Sequence, residues 1–387
     1  MTRIISKLVG PCAAAALMAA PSSAAPIRAE VPSAEDAPIA LLVDLTSGQT
    51  LLSREADRRF APASIAKVMT LYTAFEQLSH KRLRLSQVMR MRPETFDKWS
   101  RVGSTMYLPQ DAQVMAVQLM HGIASVSAND GAVVLAEGAA GSVNNWLALM
   151  NANAHRLGMR DSYFATPNGW PDGGATYTTA HDLVTLGSAT ITDHPQYYRT
   201  FFGQPGFSYG GITQRNHDPI SGKVPGADGL KTGYTDQAGY GFLGSAERDG
   251  RRLIMVVATS DTARARDRAA RGLIEWGFQA FETHKLQPVE RAVVYAPVQD
   301  GSKRQVPLVT ERALAVTVPR GTRPRVTMSA HYNGPVRAPI EAGEVVGRLD
   351  VQVVGMPSYS LPLKAGERIE RAGFLQRVAN GIVGWLS

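Results

Sequence analysis

The chain has 387 residues, of which 44% are hydrophobic and 19% charged, the composition of a globular protein with room for two domains. The formal net charge of +8 is spread along the chain without a basic stripe interleaved with aromatic residues, which disfavours a nucleic-acid-binding protein and suits contact with an anionic surface. One cysteine, Cys12, and eight scattered histidines exclude a disulfide framework and a cysteine-based metal site, and we expect neither a metal nor a cofactor.

The first residues have the pattern of a signal peptide. Arg3 and Lys7 are positive, residues 8–20 are apolar, and small residues precede a cleavage site after Ala24. The apolar stretch is too short for a membrane-spanning helix. We therefore expect residues 1–24 to be removed on export and residues 25–37 to form an extended leader.

Strands and helices both occur after the leader. Apolar residues 39–45 and residues 50–53 flank a turn, which predicts an antiparallel hairpin. Further strands are predicted at Lys231, at residues 238–245 and at residues 252–258. Apolar residues at helical spacing predict helices at residues 62–80, 113–123, 130–140 and 144–157, from Thr179 onwards, and at residues 266–278. This pattern predicts an α/β (α+β) domain over residues 38–283.

The pattern changes from about residue 284. Short apolar runs punctuated by proline and glycine predict a small all-β domain over residues 284–366. Residues 367–387 then place Phe374, Leu375 and Trp385 on one helical face and Arg371 and Arg377 on the other. We expect this amphipathic helix to lie on a membrane surface. The alternative is a helix that packs on the β domain or on a partner.

The predicted helix that starts near Pro62 has Ser64 and Lys67 in its first turn. Positions three apart lie on the same face of a helix, so the two side chains can meet. A lysine kept neutral by burial or by a nearby charge can accept the proton of a serine hydroxyl and make it a nucleophile. The first turn also presents free N–H groups that favour negative charge. Alone, the pair is also compatible with an ordinary helix start.

Two further motifs follow in order along the chain. Residues 127–129 (Ser-Ala-Asn) lie in a break between two predicted helices, and residues 231–233 (Lys-Thr-Gly) begin a predicted strand. Together with Ser64-x-x-Lys67 they match the motif set of penicillin-recognising serine enzymes. Over residues 35–387 the chain resembles low-molecular-weight penicillin-binding proteins, the serine D-Ala-D-Ala carboxypeptidases of the peptidase S11 type. Further resemblance lies in Asp44-x-x-Ser47-Gly48, Asp57, Asp130, Met150-Asn151, residues 157–159, 228–235, 238–240 and 276–278.

The resemblance implies a fold, a substrate and a location. The fold is a serine β-lactamase/transpeptidase-like domain, in which an antiparallel sheet has helices on both faces, followed by the small β domain and an anchor helix. The substrate is a peptidoglycan stem peptide ending in D-Ala-D-Ala, with β-lactams as covalent inhibitors. The location is the periplasm, with the C-terminal helix on the outer face of the inner membrane.

The resemblance also implies roles in acyl transfer. Ser64 attacks the carbonyl between the two D-alanines, and Lys67 is its general base. Ser127 passes a proton to the leaving amine, and Asn129 holds the substrate amide and Lys67. Backbone N–H groups of Ser64 and Tyr234 form the oxyanion hole.

The terminal carboxylate of the substrate is assigned to the third motif and the last helix. Lys231 supplies a positive charge, Thr232 a hydroxyl, and Gly233 lets the peptide lie against the strand edge. The resemblance adds Arg266 as a carboxylate ligand, with a structural ion pair as the alternative. Burial and the charge of Lys231 are expected to keep Lys67 neutral.

The chain departs from the family pattern at two places. Ala128 stands where many members have glycine, and residues 214–219 match the family segment Asn-x-Asn-x-Leu only in part. A class A β-lactamase is disfavoured because residues 141–231 contain no glutamate to activate a deacylating water. A D,D-endopeptidase of peptidoglycan cross-links and a catalytically silent peptidoglycan-binding protein remain as alternatives.

Overall fold

A computed structural model describes residues 29–289 and 291–373. Residues 39–280 form the first region, which contains strands β1 to β9. These strands are Ile39–Asp44, Gln49–Arg54, Val88–Arg90, Gln113–Met115, Gly206–Tyr209, Ile212–Arg215, Ala227–Thr235, Gly239–Arg248 and Arg251–Ser260. Its helices α1 to α8 are Lys67–Ser79, Pro93–Trp99, Ala116–Val126, Asn129–Ala140, Val143–Arg156, Ala180–Asp193, Pro195–Phe201 and Ala263–Ala280, and a 3₁₀ turn, Ala63–Ala66, precedes α1.

A five-stranded antiparallel sheet in the order β2-β1-β9-β8-β7 forms the centre of this region. Helices cover both of its faces, and a glycine permits close approach on each. A Cβ on Gly187 of α6 would lie 2.6 Å from Ile254 on one face, and a Cβ on Gly277 of α8 would lie 2.6 Å from Leu42 on the other. The predicted fold class, an antiparallel sheet with helices on both faces, is therefore confirmed.

Helix α1 is the central helix of the helical layer. Every residue from Lys67 to Phe75 is buried, so the helix is enclosed on all sides rather than along one stripe. Such a helix is apolar all round in an ordinary protein core. A lysine at its first position is therefore unusual, and it is placed there by the preceding turn.

The second region is all-β. Its strands β10 to β17 are Phe281–Gln287, Val294–Gln299, Gln305–Thr310, Leu314–Pro319, Val326–Tyr332, Val336–Arg337, Val345–Val353 and Tyr359–Ala365. They form a six-stranded sheet in the order β14-β16-β17-β12-β11-β15 and a two-stranded sheet of β10 and β13. A separate hydrophobic core lies between them. Strand β10 begins at Phe281 and spans the predicted domain boundary at residues 283/284.

A buried carboxylate joins the two regions. Asp44 is fully buried, and its Oδ2 accepts hydrogen bonds from Arg251 Nε at 2.8 Å, Thr283 Oγ1 at 2.7 Å and Thr317 Oγ1 at 2.8 Å. The side chain of Gln49 bonds both backbone groups of Thr317. Because a buried charge is tolerated only with such partners, this network specifies how the β domain meets the sheet.

Two short helices escaped the sequence prediction. Helices α2 and α7 have seven residues each and start with Pro93 and Pro195. The sequence analysis predicted no helix in either segment, because proline is common in turns as well as at the first helical position. Residues 113–115 form strand β4, so the helix predicted from residue 113 begins three residues later, at Ala116.

The predicted C-terminal helix is wrong for residues 367–373. Ile369 is buried and forms a bridge with Ile340, and Arg371 forms one with Gly301. These residues are extended because their apolar side chains complete the core of the β domain. Residues 374–387 lie outside the described part of the chain, as do the predicted signal peptide and residues 25–28.

Candidate active site

Ser64 lies in the 3₁₀ turn that leads into α1. Two glycines permit backbone from other elements to reach this turn. A Cβ on Gly169 would lie 1.8 Å from the carbonyl oxygen of Ala63, and a Cβ on Gly233 would lie 2.5 Å from that of Pro62. Gly233 therefore has a packing reason that the sequence analysis missed, because it lets strand β7 contact the turn. The serine is half-buried at the surface of a cleft.

Lys67 meets Ser64 as predicted. Its Nζ lies 2.7 Å from Ser64 Oγ and donates to the carbonyl oxygen of Asn168 at 2.6 Å. The lysine is fully buried. Burial, and next the positive charge of Lys231, hold the pKa of Lys67 well below its usual value, while the charge of Asp130 acts in the opposite direction. A neutral amine at this distance can accept the hydroxyl proton.

The second motif lies at the junction of α3 and α4. Ser127 has a left-handed backbone with φ of 62° that ends α3 and turns its side chain to the cleft. The Asn129 side chain also lines the cleft, and its Nδ2 donates to the carbonyl oxygen of Val102 at 2.9 Å. The expected contact between Asn129 and Lys67 is not among the hydrogen bonds of the described residues. The carbonyl of Asn168 holds Lys67 instead.

The third motif lies on β7, an edge strand of the central sheet. Thr232, Gly233 and Tyr234 line the cleft, whereas Lys231 is buried behind it with 3% exposure. Burial, followed by the charge of Arg266, lowers the pKa of Lys231 to about 7, although Asp218 opposes the shift. Lys231 thus affects the cleft in two ways. Its positive charge acts on the cleft from behind, and the same charge lowers the pKa of Lys67.

Arg266 combines the two roles that the sequence left open. It is 7% exposed and forms an ion pair with Asp267, with Nε 2.6 Å from Oδ1. Its Nη1 donates to the carbonyl oxygen of Gly241, and the same side chain lines the cleft. The ion pair therefore orients the guanidinium, which remains available to an anion in the cleft.

The cleft has a volume of about 610 Å³ and brings the three motifs together. Asn168, Trp170 and His217 also line it, and the sequence analysis did not name them as site residues. Asn168 binds Lys67 through its backbone carbonyl, a group that every residue has and that no sequence pattern can reveal. Trp170 packs edge-on against Trp99, a pair far apart in the sequence. His217 falls in the segment that matched the family pattern only in part.

Two protein-family models match the chain. Residues 26–262 match the family described as D-alanyl-D-alanine carboxypeptidase, of the peptidase S11 type. Residues 281–371 match the C-terminal domain of penicillin-binding protein 5. Helix α8, Ala263–Ala280, lies between the two matched segments.

Individual relatives cover from 63% to 98% of the chain. The D-alanyl-D-alanine carboxypeptidase DacC of Escherichia coli is 34% identical, covering 98% of this chain and 96% of the relative. The crystal structure of penicillin binding protein 5 from Haemophilus influenzae has a TM-score of 0.76 at 29% identity, covering 88% of this chain and 100% of that one. Penicillin-binding protein D2 from Listeria monocytogenes, solved in an ampicillin-bound form, has a TM-score of 0.57 at 29% identity and covers 63% of this chain and 97% of that one.

Proposed function

The chain belongs to the D-alanyl-D-alanine carboxypeptidase family of peptidase S11 type, and from that premise we propose that Ser64 carries out its acyl transfer. The protein is a penicillin-binding serine carboxypeptidase that removes the terminal D-alanine from peptidoglycan stems. The observation that supports the role of Ser64 is its 2.7 Å contact with the fully buried amine of Lys67.

The first step of the reaction transfers a proton and forms an ester. Neutral Lys67 accepts the hydroxyl proton of Ser64 while Oγ attacks the carbonyl carbon between the two D-alanines. Backbone N–H groups of Ser64 and Tyr234 stabilise the resulting oxyanion. Ser127 then donates its hydroxyl proton to the leaving amine and regains a proton from protonated Lys67, the C–N bond breaks, and D-alanine departs. Water attacks the ester carbonyl while neutral Lys67 accepts its proton, and return of that proton to Ser64 Oγ releases the shortened stem.

The terminal carboxylate of the stem lies at the other end of the cleft. Thr232 offers a hydroxyl and Arg266 a guanidinium there, and Lys231 adds a positive field from behind. Asn129 lies on the opposite wall and holds the substrate amide. A β-lactam presents the same carbonyl and carboxylate, and it acylates Ser64 in the same way.

Replacing Ser127 with alanine is expected to lower the rate of D-alanine release from a pentapeptide stem by about 10²- to 10⁴-fold, the usual contribution of a positioned proton donor. The assay measures free D-alanine with protein lacking residues 1–24. Replacing the exposed Ser329 of the β domain with alanine provides the control and should leave the rate unchanged. A wild-type rate in the Ser127→Ala protein would exclude proton transfer from Ser127 to the leaving amine.

Faster cleavage of cross-linked dimers than of pentapeptide by the wild-type protein would favour the endopeptidase alternative.

We also propose that the protein is exported and held at the outer face of the inner membrane by its C-terminal residues. The support is the signal-like pattern of residues 1–24 and the apolar face formed by Phe374, Leu375 and Trp385. In the described part of the chain, no helix has the length and apolar character needed to cross a bilayer. We propose peripheral attachment because Arg371, Arg377 and Asn380 make the C-terminal tail too polar to cross a bilayer.

A variant that ends at Gly373 is expected to move from the membrane fraction to the soluble fraction. The variant keeps Ala372, which is buried and donates its N–H to the carbonyl oxygen of Asp300, so the β domain stays whole. Fractionation followed by labelling with a fluorescent penicillin measures both location and folding. Continued sedimentation of the shortened, labelled protein with membranes would contradict the anchor.

A further inference from the structure

The segment of residues 214–219 forms one rim of the cleft, and we call it the 214–219 rim. Hydrogen bonds made by its side chains and by one of its carbonyl groups attach it to neighbouring parts of the chain. Gln214 Nε2 donates to the carbonyl oxygen of Thr105 at 2.9 Å, and Asn216 Nδ2 donates to that of Gln204 at 2.8 Å. The carbonyl oxygen of Pro219 accepts from Arg271 Nε at 2.7 Å. The rim is thus fixed on both sides of His217.

His217 is the residue that this rim presents to the cleft. The side chain is exposed and lines the same cavity as Ser64, Thr232 and Arg266. Within residues 29–289 and 291–373, its imidazole makes no hydrogen bond. The structure therefore fixes the backbone around a free imidazole that faces the substrate cleft. An imidazole without a protein partner can offer its N–H to a ligand in the cleft.

Charged groups identify the end of the cleft at which His217 lies. Desolvation of the ring in the cleft, then the positive charges of Lys231 and Arg266, lower the pKa of His217 below its usual value, and the Arg266 side chain lines the same cavity. Lys231 comes from β7 and Arg266 from α8. The adjacent carboxylate of Asp218 is buried and accepts hydrogen bonds from Ile220 and Ser221 of its own loop. His217 thus lies at the cationic, carboxylate-binding end.

We infer that His217 is a specificity-determining residue that binds the terminal carboxylate of the stem peptide together with Thr232 and Arg266. The inference rests on the proposed roles of those two residues. A neutral imidazole donates one N–H to the carboxylate, and an imidazolium adds a positive charge. His217 lies in the rim segment that resembles the family pattern only in part.

The inference has a defined pH dependence. In the free cleft the two cations and burial keep the imidazole neutral at pH 7. A bound carboxylate attracts the proton and raises the pKa of His217, so binding is strongest at low pH and weakens as the pH rises through the pKa of the complex. Lys231, with a pKa of about 7, titrates in the same range and also favours the carboxylate when protonated. Comparison with a variant that lacks only the imidazole separates the two groups.

The test compares His217→Ala and His217→Gln with the wild-type protein. At pH 7 the alanine variant should raise the KM for a pentapeptide stem about 10- to 100-fold, the effect of losing a hydrogen bond to a charged group, with kcat within about twofold. The glutamine variant keeps a donor and should lose less. Both variants should have a KM that changes less than that of the wild type between pH 5 and pH 8. His331→Gln, an exposed histidine of the β domain, is the matched control and should keep the wild-type profile.

A pair of boronic acid inhibitors identifies the group that His217 contacts. One carries a carboxylate at the position of the departing D-alanine, and the other carries a methyl group there. The His217→Ala change should weaken only the carboxylate-bearing inhibitor. Equal weakening of both inhibitors would overturn the inference, because His217 would then merely shape the rim.

Failure of this inference can be told apart from failure of the proposed function. If a fluorescent penicillin labels the wild-type protein at Ser64 and both variants keep the wild-type KM and pH profile, only the role of His217 is overturned. If the wild-type protein is not labelled, the proposed function itself fails. Melting temperatures of both variants within a few degrees of the wild type establish that a changed KM is not a folding defect. If the melting temperature of His217→Ala is much lower, the KM and pH profile of His217→Gln decide the role of His217.

Discussion

Replacing Ser64 with alanine is expected to abolish covalent labelling by a fluorescent penicillin. The same change should lower kcat for D-alanine release by about 10⁴- to 10⁶-fold, the range seen when a member of a serine-hydrolase catalytic set is removed. The reason is that no acyl ester can form without Oγ, whose distance to the Lys67 amine is 2.7 Å. Gel fluorescence measures labelling, and a coupled D-alanine assay measures turnover.

The control for this experiment is Ser53→Ala, an exposed serine on β2. It should be labelled like the wild-type protein. The loss of one hydroxyl at half-buried Ser64 leaves the 3₁₀ turn and its glycine contacts in place, so the thermal melting of Ser64→Ala should match that of the wild type. Labelling of a correctly folded Ser64→Ala protein would refute the assignment of the nucleophile.

Replacing Lys67 with methionine is expected to slow acylation by penicillin by at least about 10³-fold. Methionine keeps much of the volume of lysine in the buried site but cannot accept a proton. The fully buried amine lies within hydrogen-bond distance of Ser64 and Asn168, and both contacts are lost. Stopped-flow or quenched-labelling rates measure the effect. Lys285→Met, at an exposed position of β10, should acylate at the wild-type rate.

The pH dependence of acylation tests the same role. A general base must be neutral, so acylation is fast above the pKa of Lys67 and falls as the pH drops through it. Burial and the charge of Lys231 hold that pKa well below its usual value, so the fast range extends far below pH 10.5, the usual pKa of lysine. A wild-type rate that rises only near pH 10.5, or an unchanged rate in Lys67→Met, would show that another group is the base.

The sequence was most informative where the chemistry depends on local spacing. Ser64 and Lys67 meet because residues three apart share a helical face, a property of the backbone alone. Thr179 caps α6 as predicted, since its hydroxyl accepts from the N–H of Asp182 within the same turn. The order of the three motifs then identified the family, because each motif needs a particular local context.

Local spacing failed where a contact joins distant parts of the chain. The carbonyl that holds Lys67 comes from Asn168, 101 residues away, and a backbone carbonyl is common to every residue type. The network around Asp44 joins β1 to β10 and β13 through hydroxyls that look ordinary in the sequence. Short helices that begin with proline were missed because proline also marks turns.

The sequence by itself determined which reactive groups the protein has, their order and the two regions that carry them. Only the tertiary structure decided the state of those groups. The pKa of Lys67 depends on burial and then on the charge of Lys231, and that of Lys231 depends on burial and then on the charge of Arg266, which all arise when α1, β7 and α8 come together in the folded chain. His217 likewise acquires its place beside Arg266 through hydrogen bonds made by the rest of its rim. Electrostatic energy depends on distance and on exclusion of water, and neither quantity can be read from residue order.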